Sequence, residues 1–189
     1  GVGISSSEGS CTANFIYYTG PNDYYIGSAA HCFSPDTNSN PPVDPCIART
    51  SALGSPVTIE NATQPGTLAY SSWQSMQERG EIIGSDICTY NDFALVKIHA
   101  DDLDNVHPAT LIYGGPTSLQ TGTATVGTPV VSYGSSSLNG GVQALQEKEG
   151  SVTRVNGNGW DYSISSDNPG VSGDSGSAVL NADDGRALG

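Results

Sequence analysis

Tyr24-Tyr25-Ile26-Gly27-Ser28-Ala29-Ala30-His31-Cys32 is the stretch from which the fold is read. Tyr24 to Ser28 has the aromatic and branched residues of a strand, and it closes on two alanines, a histidine and a cysteine. Small neighbours let other segments approach the imidazole, and a disulfide at Cys32 would limit its motion. A general base needs such positioning. Strand-like runs recur at Thr12 to Tyr18, Phe93 to His99, Gly127 to Tyr133, Gly141 to Val155 and Ser177 to Leu180. Asn139-Gly140, Asn156-Gly157, Asn158-Gly159 and Asp183-Asp184-Gly185 predict turns between them. Only Ala69 to Gly80 and Ala100 to Val106 read as short helices, and proline-rich Ser34 to Pro45 reads as a loop. The pattern predicts an all-β protein.

A chain of 189 residues holds one large domain or two small ones around a real core. Charged residues are 13% of it, about half the usual share. With 19 acidic and 6 basic residues, the net charge is −13. That sign repels phosphate backbones and no basic patch offsets it, so no nucleic-acid partner is expected. No apolar run is long enough to span a membrane as a helix, so no membrane partner is expected either. Plentiful tyrosine and sparse charge argue against disorder. The acidity reads as a solubility device.

Cys11, Cys32, Cys46 and Cys88 are an even set in an acidic β protein, which fits two disulfides and an oxidising compartment. Three connectivities are open, and the adjacent pairing is the one expected. None of the four has metal-finger spacing. His99 and His107 flank Asp101, Asp102 and Asp104, but the ligand order of a calcium loop is absent, so the stretch reads as a solvated turn. Asn61-Ala62-Thr63 is a glycosylation sequon, and a surface turn where the host does not glycosylate.

Two further segments carry chemistry. In Ser172-Gly173-Asp174-Ser175-Gly176-Ser177, glycines flank an Asp-Ser pair, so the backbone can turn sharply. Such a turn exposes a hydroxyl and aims successive N–H groups at one point, as an oxyanion hole requires. In Asn91-Asp92-Phe93-Ala94-Leu95-Val96, a carboxylate stands at the mouth of an apolar strand, where it needs a hydrogen-bond partner. An imidazole N–H suits it. The order His31, Asp92, Ser175 is one of the chain orders of the Ser-His-Asp triad.

With these residues in place, the sequence resembles the chymotrypsin-fold (trypsin-like) serine peptidases, particularly the secreted bacterial members. The matching stretches are Cys11 to Ile16, Tyr25 to Cys32, Asn91 to Val96, Gly127 to Gly134 and Gly173 to Ser177. The resemblance implies two six-stranded antiparallel β-barrels with the active site in the cleft between them. Residues 1–115 would form the first, with His31 and Asp92, and 116–189 the second, with Ser175. It implies a secreted serine endopeptidase acting on protein or peptide substrates through an acyl-enzyme, with neither metal nor cofactor. No interface signal stands in the sequence, so a monomer is expected. Gly173 and Ser175 would supply the oxyanion hole, and Asp174 would be the structural acid beside the nucleophile. The family's disulfide next to the histidine would be Cys11–Cys32, leaving Cys46–Cys88. The alternative is a peptidase-fold binding or structural protein without turnover.

Three features depart from the family pattern. The chain ends 14 residues after Ser175, so the second barrel is expected to be incomplete, with a C-terminal segment lying beyond this sequence or supplied separately after cleavage. Gly1-Val2-Gly3-Ile4 is not the Ile-Val-Gly-Gly start whose amine pairs with the acid before the nucleophile, so Asp174 needs another partner, with Arg154 as the candidate. The pocket-base position falls on Pro169, with Asp167 close by as a substitute, and Arg/Lys specificity does not follow.

Overall fold

The computed structural model describes residues 1–110 and 112–189. Its regular structure is mostly antiparallel β, in two sheets. The first holds β1 (Gly3–Ser5), β2 (Ser10–Thr12), β3 (Ile16–Gly20), β4 (Asp23–Ser28), β5 (Pro56–Ile59), β6 (Gly66–Ser71) and β7 (Ala94–Lys97). Their order across this curled seven-stranded sheet is β2-β1-β5-β6-β7-β4-β3. The second is four-stranded in the order β10-β9-β8-β11, from β8 (Pro129–Tyr133), β9 (Glu147–Asn156), β10 (Asp161–Ser166) and β11 (Val179–Asn181). The architecture is therefore mostly β with seven and four strands, where six and six were expected.

Period-two burial explains the first sheet. In β5, Val57 and Ile59 face inward and their neighbours face out. Leu68, Val96 and Ile26 sit opposite one another across β6, β7 and β4, and all are buried. A bulge between Leu68 and Tyr70 shifts the register of β6, so that buried Ser71 leads into a helix, α1 (Ser72–Arg79). Trp73 and Met76 on α1 pack into this core beside Phe33 and Ile4. Burying a side chain of that size contributes about 1.5–3 kcal/mol. The second sheet has a smaller buried cluster, Ala124, Val130 and Val152, edged by Tyr162, Val179 and Leu188.

Local predictions diverge at identifiable places. The run Thr12 to Tyr18 is two strands, β2 and β3, with Asn14 and Phe15 bonded to Gly27 between them. The run Gly141 to Val155 begins instead with a one-turn helix, α3 (Gln143–Gln146), because Gly140 and Gly141 both take positive φ and Gln, Ala and Leu follow. The helix expected from Ala69 starts at Ser72. A further helix, α2 (Asp86–Tyr90), was not expected; Ser85 caps it through its hydroxyl. The Asn156-Gly157 and Asn158-Gly159 signals make the β9–β10 turn, with Asn158 at φ 55. Ala100–Asn105 is a 3₁₀ turn, but it is not simply solvated. Asp102 is 3% exposed and accepts from Thr63 N (2.7 Å) and Gln64 N (3.0 Å), bonds that hold its carboxyl below the usual range. Asn61 of the sequon sits at an exposed turn with φ 65.

Candidate active site

β4 delivers His31 through the turn Ala30–Phe33, in which Ala30, Cys32 and Phe33 are buried and only the imidazole faces outward. Cys11–Cys32 ties that turn to β2, and Cys46–Cys88 anchors α2 shortly before Asp92, so the expected pairing is the one found. Buried Ser72 brackets the aspartate: its hydroxyl donates to Asn91 O (2.8 Å) and accepts from Phe93 N (2.9 Å).

Asp92 holds His31 at two points. Oδ1 accepts the His31 backbone N–H at 2.8 Å, and Oδ2 lies 2.6 Å from Nδ1. A carboxylate only accepts, so Nδ1 carries the proton and Nε2 is left as the acceptor in the neutral ring. The bond to Asp92 raises the His31 pKa above its ordinary value, and burial opposes it.

Ser175 lies on the loop between β10 and β11, and its backbone is docked against the histidine's side of the molecule. Thr12 N donates to Ser175 O at 2.8 Å. A Cβ on Gly176 would overlap Ser28 Oγ, Thr12 O and Ala29 N, so only glycine permits this approach. The loop therefore rests on the strand ends that carry His31. Among the described residues, Ser175 Oγ makes no hydrogen bond, to His31 Nε2 or to any other group, and the N–H groups of Gly173 and Ser175 donate to no protein acceptor.

Asp174 points the other way. Lys148 Nζ lies 3.0 Å from its Oδ2, both side chains are buried, and Ser136 N and Val171 N donate to the same carboxylate. Lys148 is thus the partner, in place of the expected Arg154, which is exposed on β9. Lys148 and Val152 share the inward face of β9, and the bulge between Val152 and Arg154 turns Arg154 out of that face although its parity is the same.

A cavity of about 260 Å³ opens beneath this loop, with Lys148, Asp174, Gly176, Ser177 and Ile164 in its wall. Pro169 and Asp167 lie outside that wall. Pro169 is exposed, and the Asp167 carboxylate accepts Glu149 N (2.9 Å) and Asn168 N (2.7 Å), which lowers its pKa. The Asp167 bond to Glu149 N continues the pairing at the end of the β9–β10 ladder. Thr12, Ser72, Ser136 and Lys148 were not singled out from sequence; of these, only Lys148 left a readable signal, as a lysine on a strand's inward face.

A family model described as a trypsin-like peptidase domain matches residues 11–189, and the chain belongs to that family. No curated protein sequence matches it significantly. Among solved structures, it resembles Protease A of Thermobifida fusca, at 15% identity and a TM-score of 0.51, over 98% of this chain and 77% of that one. It also resembles a glutamic-acid-specific serine protease, at 21% identity and a TM-score of 0.52 over 98% and 79%. A Glu endopeptidase matches at 20% identity and a TM-score of 0.51, over 98% and 74%. At these identities the likeness concerns the fold.

Proposed function

We propose that the chain is a secreted serine endopeptidase, with a site assembled between a first unit, residues 1–115, and a second, residues 116–189. Ser175 Oγ attacks a peptide carbonyl while His31 Nε2 takes its proton. Asp92 keeps the imidazole in the required tautomer and stabilises the imidazolium. The N–H groups of Gly173 and Ser175 receive the charge that develops on the carbonyl oxygen. His31 then protonates the leaving amine, and water repeats the sequence on the acyl-enzyme. The two disulfides favour an oxidising compartment and so support secretion.

The observation that carries this reading is the two-point hold of Asp92 on His31, at backbone N and at Nδ1. A structural histidine has no need of a carboxylate that fixes both its backbone and its tautomer. The second reading, a peptidase fold without turnover, is favoured by the missing Ser175–His31 bond. Such bonds are often loose before substrate binds. A fluorophosphonate probe separates the two. Labelling of folded wild-type protein and not of Ser175→Ala supports the peptidase, and no labelling of the wild type overturns it.

A further inference from the structure

We propose that the Ser136 hydroxyl is a positioning residue for the oxyanion donor Gly173 N–H, an inference that rests on the serine peptidase reading above. Ser136 lies well outside the motif that carries Ser175, in the segment after β8, and it is 2% exposed. Its Oγ donates to Ser172 O at 2.6 Å. Ser172 C=O and Gly173 N–H belong to one planar trans peptide unit and point in opposite directions. Holding the carbonyl therefore aims the N–H.

The neighbouring units show how specific this hold is. The Gly173–Asp174 unit faces the other way, with its carbonyl accepting Thr12 Oγ1 (2.8 Å) and its N–H donating to Val171 O (3.0 Å). In the Asp174–Ser175 unit, Asp174 O accepts Ser177 N at 3.0 Å, which aims the Ser175 N–H in turn. Each unit that offers a free N–H thus has its carbonyl tied down, and for Gly173 the tie is one hydroxyl. Gly173 has φ +100, a region where glycine rotates at little cost, so the chain alone does not fix this peptide. Ser136 packs against Gly173 closely enough that a Cβ there would lie 3.0 Å from Ser136 Oγ. If the Ser172–Gly173 unit turned over, it would present a carbonyl where the oxyanion forms and withdraw the donor.

The test compares Ser136→Ala and Ser136→Thr with wild type, on a peptide ester and on a fluorophosphonate. Complete loss of one oxyanion donor costs about 100- to 1,000-fold in turnover, and a donor left undirected is expected to cost roughly 10- to 100-fold. Ser136→Ala should lower kcat by that factor, with KM within about twofold and phosphonylation slowed in proportion, since both need the hole. The acid limb of its pH profile should not move, because His31 and Asp92 are untouched. Ser136→Thr keeps the hydroxyl and should recover most of the rate. Should Ser136→Ala fail to fold, Ser136→Cys, of similar bulk but only a weak donor, takes its place with a smaller fall of at least about fivefold expected. An alanine or cysteine variant as fast as wild type overturns the inference, as does an equal loss in the threonine variant. A wild type that neither turns over nor labels overturns the peptidase reading instead.

Discussion

The His31 half and the Ser175 half of the molecule are held in place by different means. The first sheet surrounds a large apolar core and carries both disulfides, one beside His31 and one shortly before Asp92. The second sheet has a small cluster and no disulfide, and the loop that carries Ser175 is fixed by polar ties, with Lys148 on Asp174, Ser136 on Ser172 and Thr12 on Gly173. The proposed base therefore stands on packing and covalent bonds. The proposed nucleophile stands on buried hydrogen bonds, which are costly to leave half-made. Damage to the first half should spread through its core, and damage to the second should stay near the loop.

Four measurements sharpen or break that contrast. The largest effect is expected of Asp92→Asn, which removes the tautomer control in the first half. It should lower kcat by about 10,000-fold while leaving the second half folded. Circular dichroism and peptide hydrolysis check this, and a variant of near-normal rate would remove Asp92 from the mechanism.

Lys148→Met comes next. It strands a buried carboxylate, at a cost of about 3–5 kcal/mol. Hydrogen exchange should show β8 to β11 losing protection while β4 to β7 keep theirs. Equal loss in both sheets would abolish the contrast. Replacing Cys46 and Cys88 together by serine should cost about 2–4 kcal/mol, and only in the first sheet. Urea denaturation read at Trp73 on α1 and at Trp160 beside β10 distinguishes the halves.

The smallest effect is on pH dependence. Asp92 raises the His31 pKa, and the neutral ring is the proposed base, so activity should fall with decreasing pH at a point above the ordinary imidazole value. For stability the sign is opposite. A raised folded pKa stabilises fully below about pH 6.5 and is lost as pH rises through the folded value. The stability gap between wild type and Asp92→Asn should therefore be wider at about pH 5.5 than at about pH 8.5. A gap that widens with pH would contradict the direction assigned to His31.

In the first sheet, β3, β4 and β7 are legible as runs of aromatic and branched residues, whereas β1, β5 and β6 do not read as strands, β1 being short and β5 having only Val57 and Ile59 to mark the alternation. The residues proposed for the triad are legible because each sits in a short pattern with its own chemistry. What escapes is set by partners distant in sequence. Arg154 and Lys148 are basic residues of β9 with the same parity, and only the bulge against β10 between Val152 and Arg154 tells the exposed one from the buried one. Nothing near Ser136 announces that its hydroxyl meets a carbonyl 36 residues away, since the bond exists only once two loops are packed. The bulge in β6 likewise hides the start of α1, because it breaks the alternation that would have marked the strand's end. The Gly140-Gly141 pair defeats the long-strand reading for a local reason, the positive φ at both positions.

Thr12 belongs by sequence to the first half, yet it is 0% exposed and its N–H and hydroxyl are spent on the second. Its N–H serves Ser175 O, while its hydroxyl serves Gly173 O and accepts from Ser135 N. A chain cut between Gly115 and Pro116 would leave each fragment with a buried polar seam open to water. The two pieces would then behave as complementing fragments, competent when mixed and weak apart, and the seam at Thr12 would set their affinity.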